Sequence, residues 1–302
     1  MSKVMNPLVC HQRFNVVQAE IEAVLARTMD GDPQILPIVG PTRVGKSKLL
    51  ASVIASHSTA EPGRPRRIVS VVSPKHLTGR ALPDACLTSI GMSTALFRNH
   101  VLATDAFIRA INKHSTQMII FDETQHMLER GGSTTVRAAA DFIKLVFDQT
   151  RASILLVGLP TLLGLFKANE QLADRALSPI QYYPYEWHGA DYKCFRSALG
   201  SALEHLAESG WDTFAFNDAE FARRMYVASA GRYGLINKLL VQVQLISQAD
   251  QVAGYEAFAL AYQQSVMGRW VEFNPFDIQQ TIQVEHMALV YSKVMQEAGV
   301  KV

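Results

Sequence analysis

Gly40-Pro41-Thr42-Arg43-Val44-Gly45-Lys46-Ser47 fits the spacing G-x-x-x-x-G-K-[ST]. These residue types at that spacing serve polyphosphates: glycines let the backbone wrap the phosphate oxygens, a helix N-terminus adds its dipole, and Lys46 reaches the β- and γ-phosphates. The hydroxyl of Ser47 is then a magnesium ligand. Downstream, the apolar run Met118-Ile119-Ile120-Phe121 ends in Asp122-Glu123. In this pairing Asp122 joins the magnesium shell and Glu123 polarises an attacking water. ATP and Mg2+ are therefore the expected cofactors, and hydrolysis of ATP to ADP and phosphate the expected reaction. Gln125 and His126 follow closely. His126 is open to two readings, a sensor of the γ-phosphate or a DNA contact on one side and a structural histidine on the other.

A phosphate loop works only between a strand and a helix, and the flanking sequence supplies both. Residues 14–29 place Val17, Ile21, Val24 and Leu25 at helical spacing. Asp30-Gly31-Asp32-Pro33 breaks that helix, and the apolar run 34–39 enters the glycine-rich turn as a buried strand would. Pro37 weakens this strand, because proline donates nothing to a ladder. A helix over 47–56, the breaker 61–65 and a second strand over 68–72 complete a strand-helix-strand unit, the signature of a parallel α/β sheet. The alternation continues with a helix over 104–113, strands over 118–121 and 153–157, a helix over 138–149 and a short fifth strand near 180–183. From Tyr192 onward the periodicity is wholly helical, over 192–208, 218–230, 235–249 and 255–267, with a last helix from about Ile278 to Glu297. The expected organisation is an N-terminal helical segment (1–30), an α/β core (31–186), an all-helical lid (187–268) and a tail (269–302) carrying Asn274-Pro275-Phe276.

Composition bounds the alternatives. At 302 residues, 48% hydrophobic and 19% charged, the chain is ordinary globular material. No apolar run reaches the roughly 18 residues of a membrane helix, and residues 1–7 lack a secretory layout, so a cytoplasmic location without membrane partners is expected. Cys10, Cys86 and Cys194 are too scattered for a disulfide framework or a zinc site. A net charge of +2 decides nothing about nucleic acid.

The segment 121–127 (FDETQHM), Leu156-Val157-Gly158-Leu159-Pro160 and the run Asn169 to Arg175 (NEQLADR) together resemble the TniB/TnsC group of AAA+ transposition ATPases, with the similarity closest to TniB. It extends from about His11 to the Asn274-Pro275-Phe276 motif. The resemblance implies a P-loop AAA+ core, a parallel sheet flanked by helices, followed by a small helical lid. It also implies a protein that oligomerises on double-stranded DNA as a ring or filament, marks a target site, and contacts a transposase and a TniQ-like protein. Arg175 lies where AAA+ proteins place an arginine finger; the other reading pairs it with Asp174 or Glu170. Near the fourth strand's end, where relatives carry a polar sensor, Leu159 is apolar and Thr161 is the nearest candidate. The run 231–238 (GRYGLINK) resembles the sensor 2 region, but the usual arginine register falls on Gly234, leaving Arg232 or Lys238 as substitutes at the nucleotide.

Two loops are candidates for DNA. Residues 73–80 follow the second strand's carboxyl end and carry Lys75, Thr78 and Arg80, types that contact phosphates without reading sequence. Residues 130–137 are rich in glycine and hydroxyls and end at Arg137. Either loop is equally readable as a solvated surface. Outside transposition, the same nucleotide chemistry suits an AAA+ ATPase of replication or repair, such as a helicase loader, or of a plasmid system. A defence-type signalling ATPase is disfavoured, since no appended effector or repeat domain is visible.

Overall fold

A computed structural model describes residues 10–58, 67–76, 78–129, 132–266 and 270–300. The expected breaker at 61–65, together with Leu77, Arg130 and Gly131 of the two candidate DNA loops, lies outside the described residues. The strands are β1 (Ile35–Val39), β2 (Ile68–Val72), β3 (Met118–Asp122), β4 (Ser153–Gly158) and β5 (Ile180–Gln181). The helices begin with α1 (Gln12–Met29), α2 (Lys46–His57), α3 (Ala81–Ser89), α4 (His100–Lys113) and α5 (Ser133–Gln149). Two short ones follow, α6 (Gly164–Ala168) and α7 (Glu170–Ala173). The C-terminal series is α8 (Gly189–Glu208), α9 (Ala219–Ser229), α10 (Tyr233–Ile246), α11 (Tyr255–Ser265) and α12 (Val284–Glu297).

The described residues form two compact bodies: one drawn from 17–40 and 46–182, the other from 10–16, 41–45 and 183–300. The first is built on a five-stranded sheet of order β2-β3-β4-β1-β5 in which every pairing is parallel. Parallel sheets are covered on both faces, so their strands read as continuous apolar runs. Accordingly every residue of β1 and β4 is buried, as are the first four of β3. Because β4 lies between β3 and β1, the carboxyl ends of β1 and β3, which lead into the phosphate loop and Asp122-Glu123, flank the end of β4. This is where open α/β sheets hold their ligands.

Pro37 sits inside β1 at no cost to the central ladder. The Gln34 carbonyl accepts from Ile154 and the Gly40 amide donates to Gly158, so even-numbered residues face β4; the Ile35 and Val39 carbonyls accept from Leu177 and Tyr182, so odd-numbered ones face the β5 side. Position 37 therefore points its missing donor to the side where β5 pairs only with Ile38 and Val39.

The second body has a core drawn from α8 to α12, with Phe221, Phe258, Phe276 and Tyr262 fully buried. Here the last helix differs from the sequence expectation. It starts at Val284, not near Ile278, because buried Arg224 donates to the carbonyls of Pro275 (2.9 Å), Asp277 (2.7 Å) and Gln280 (2.9 Å) and keeps that stretch out of a helix. A second difference is α3, absent from the sequence reading. It begins directly after Arg80, whose guanidinium binds Asp84 one turn on at 3.0 Å and the Thr94 carbonyl at 2.6 Å.

Candidate nucleotide site

The loop between β1 and α2 turns through two left-handed residues, Arg43 (φ 66°) and Gly45 (φ 116°). Such conformations aim successive backbone N–H groups into one concavity, the geometry that receives anions. Pro41 and Val44 are buried and pin the loop, while Thr42, Arg43 and Ser47 are exposed. Lys46 begins α2, and its Nζ donates to the Gly40 carbonyl at 2.7 Å, folding the side chain back over the loop. Burial pushes its pKa down to about 8, against an opposing pull from the Glu123 and Asp122 carboxylates. A half-buried cation with acids close by is matched to a ligand that brings further negative charge.

At the end of β3 the chain turns sharply, with Glu123 itself left-handed (φ 53°). The Glu123 amide donates to Asp122 Oδ1 at 2.8 Å. Burial raises the Asp122 pKa, partly offset by that hydrogen bond; the nearby Glu123 charge raises it further and Lys46 lowers it. Ser47 and Asp122 present a hydroxyl and a carboxylate, hard oxygen donors of the kind magnesium takes alongside substrate phosphates. Among the described residues no group of three or more His, Cys, Asp or Glu side chains forms a metal cage. Ser47 and Asp122 fit the group by their donor chemistry.

Two residues that sequence reasoning passed over complete this corner. Gln125 is buried, donates from Nε2 to Glu123 Oε2, and accepts at Oε1 from the Leu159 amide at 3.0 Å. Gly158, the last residue of β4, makes room for it: a Cβ there would lie 2.3 Å from Gln125 Oε1. A glycine closing an otherwise apolar strand signals such close approach, and this was the clue available in the sequence. The polar group at the tip of β4 is thus supplied from β3's side by Gln125, whereas Thr161 is exposed. His126 bonds Glu129 Oε2 at 2.8 Å.

In the other body, α10 approaches loop residues 41–45 so closely that a Cβ on Gly234 would lie 2.5 Å from the Arg43 carbonyl oxygen and 3.3 Å from the Gly45 nitrogen. The register at which an arginine was expected therefore has no space for a side chain. Arg232 is buried, with Nε donating to the Ser229 carbonyl at 3.0 Å and the guanidinium 4.3 Å from the Trp270 ring centre. Burial lowers its pKa to about 10, with Glu297 opposing the fall and Arg43 adding to it. Lys238 Nζ donates to the Ser265 carbonyl.

The remaining candidates lie on surfaces. Arg175 pairs with neither Asp174 nor Glu170; its Nε donates to Asp148 at 2.8 Å and its Nη1 to the Gln171 carbonyl at 2.7 Å. Lys75, Thr78 and Arg137 are exposed, whereas Arg80 is committed to Asp84 and to the carbonyls of Thr94 and Arg98.

Residues 5–185 match the family model described as bacterial TniB protein. No curated protein matches the chain in sequence. Among solved structures, the ORC2 protein of Aeropyrum pernix in its ADPNP-ADP complexes superposes with a TM-score of 0.61 at 14% identity, covering 86% of this chain and 69% of that one. Cdc6p of Pyrobaculum aerophilum gives 0.61 at 12% identity, covering 99% and 84%. The Walker-type ATPase PABY2304 of Pyrococcus abyssi gives 0.52 at 16%, covering 87% and 73%. At these identities the likeness establishes the fold alone, a parallel α/β core of the AAA+ kind followed by a helical region. Among the described residues no helix is long and apolar enough to cross a membrane.

Proposed function

The chain belongs to the TniB family, and from that premise we propose that it is an ATP-dependent, DNA-binding ATPase of a transposition system. In this reading it oligomerises on double-stranded DNA, marks a target and engages a transposase and a TniQ-like protein. The division of labour is a core over 31–186, a lid over 187–268, an N-terminal segment over 1–30 and a tail over 269–302. The observation that carries the ATPase reading is that Lys46, tied to the Gly40 carbonyl, lies within the electrostatic reach of the Asp122 and Glu123 carboxylates.

Gly40 to Ser47 hold the phosphates, Lys46 countering charge on the β- and γ-oxygens. Ser47 and Asp122 would hold magnesium, which neutralises charge on the transferring phosphoryl group when bound. Glu123 orients water for in-line attack and takes its proton. Arg232, buried beside Arg43's charge, contributes to the nucleotide site from the lid. Arg175 serves as a finger toward a neighbouring subunit's nucleotide, with Asp148 and the Gln171 carbonyl orienting it at the surface.

Lys75, Thr78 and Arg137 are the proposed phosphate contacts to DNA, with Arg80 shaping the first loop through its bonds to α3. The test pairs Lys46→Ala, expected to lose ATP binding and assembly, with Glu123→Gln, expected to bind ATP without turnover. DNA binding followed by anisotropy across a salt series should require ATP and weaken steeply with salt, and Lys75→Ala should reduce it. Tight DNA binding by monomers without nucleotide would refute the assembly.

A further inference from the structure

One peptide group links the phosphate loop to the acid at the end of β3. The Gly158 carbonyl accepts from the Gly40 amide at 3.0 Å, and the amide of the same peptide bond, on Leu159, donates to Gln125 Oε1 at 3.0 Å. An N–H facing Oε1 leaves no choice about the amide's orientation: the carbonyl must face Leu159, so Nε2 faces the Glu123 carboxylate, to which it is bonded. The clamp is tight on every side. Gln125 is buried, Thr124 Oγ1 is tied to the Phe121 carbonyl at 2.8 Å, and Gly158 has no room for a Cβ. A hydrogen-bonded chain of this kind, polarised along its length in a low-dielectric setting, is stiffer than its separate links.

We infer that Gln125 is a positioning residue for ATP hydrolysis, holding the Glu123 carboxylate in register with the phosphate loop through the Gly158–Leu159 peptide. The inference rests on the ATPase reading above. Glu123 has two oxygens: Gln125 occupies Oε2 and so directs Oε1 to the reacting water. Its left-handed backbone gives Glu123 a conformation that needs such support. The side chain touches neither substrate nor metal in this scheme. Its effect should fall on turnover and spare nucleotide affinity, since positioning errors act on the chemical step.

Two substitutions separate positioning from mere packing. Gln125→Glu keeps an acceptor for the Leu159 amide but replaces the donor facing Glu123 with a second carboxylate; Gln125→Ala removes both. Steady-state turnover and binding of a fluorescent ATP analogue with Mg2+ would be measured for both variants, for the parent and for Glu123→Gln. Expected is a fall in kcat on the order of 10- to 100-fold in both Gln125 variants, with KM, analogue affinity and the melting temperature of Gln125→Glu near the parent's. Parental kcat in Gln125→Glu, or a rise in kcat, would overturn the inference while leaving the ATPase reading intact. Parental turnover in Glu123→Gln would instead overturn that reading. A loss of analogue binding equal to the loss of turnover would make Gln125 a packing residue and overturn its positioning role.

Discussion

Gly234→Ala offers a test in which two effects of opposite sign compete. Gly234 is the second residue of α10, so alanine there should favour the helix by at most about 1 kcal/mol. Against this, the new Cβ would lie 2.5 Å from the Arg43 carbonyl oxygen and 3.0 Å from its carbonyl carbon, closer than real contacts allow. Restoring an ordinary separation requires backbone to move by roughly 0.9 Å or more, because the obstacle is main chain and cannot swing aside as a side-chain tip would. Overpacking of this kind costs about 1–3 kcal/mol, so the steric term wins. Arg43 holds a left-handed turn of the phosphate loop, and displacing its carbonyl also turns the loop's amides away from the phosphates. Thermal unfolding should fall by several degrees, at about 2–4 °C per kcal/mol for a domain of this size. Calorimetric titration with Mg-ATP should show weaker binding by on the order of tenfold, about 1.4 kcal/mol. An unchanged or higher melting point with parental ATP affinity would refute the close approach of α10 to the loop.

Other outcomes follow from the same geometry. Lys46 must be charged to pair with phosphate, and its pKa in the nucleotide-free protein is lowered to about 8, so ATP affinity should decline above that pH toward a slope of tenfold per unit. The stability of the nucleotide-free protein moves the other way, rising between about pH 8 and the ordinary lysine value of 10.5 as the buried charge is discharged; Lys46→Met should abolish both trends in titrations and melts. His11 bonds Tyr185 at 2.7 Å, and burial, helped by the Arg13 charge, pushes it down to about 4. It therefore contributes stability above pH 6.5 that is lost as pH falls toward 4, and a melt series on His11→Leu should lack that acid limb. Arg224→Met strands the carbonyls of Pro275, Asp277 and Gln280 and should cost about 3 kcal/mol or more by denaturant titration. Arg175→Ala should slow turnover without loss of ATP binding, and mixing it with Glu123→Gln should restore part of the activity by pairing an intact acid with an intact finger across a subunit boundary.

The sheet was readable from sequence because its strands announce themselves as apolar runs punctuated by glycine and proline, and each of the five expected strands is present. The loop between β1 and α2 and the acidic end of β3 stand out in the sequence for a similar reason, since each is a local pattern. What escaped were features set by contacts distant along the chain. Arg80 read as a phosphate-contacting type in its loop, and its bonds to Asp84 and to the carbonyls of Thr94 and Arg98 were not legible there. The start of α12 depended on Arg224, about a helix pair earlier in the chain. Gln125 looked like a residue following the acid, and only the Leu159 amide reveals its orientation. Gly234 looked like a lost arginine, whereas the nearness of Arg43 makes it a requirement of space.

Pro37 carries a consequence for the life of the chain before folding is complete. β5 contributes only Ile180 and Gln181 and sits at the edge, so it is the strand most easily left off a half-formed sheet. While it is absent, the wholly apolar β1 shows its odd-numbered side to any passing strand. An intruder seeking a continuous ladder meets a gap at its centre, where position 37 has nothing to donate. The same proline that leaves the native sheet undisturbed thus works as a gatekeeper against aggregation, and replacing it with valine should improve the strand while making refolding at high protein concentration less productive.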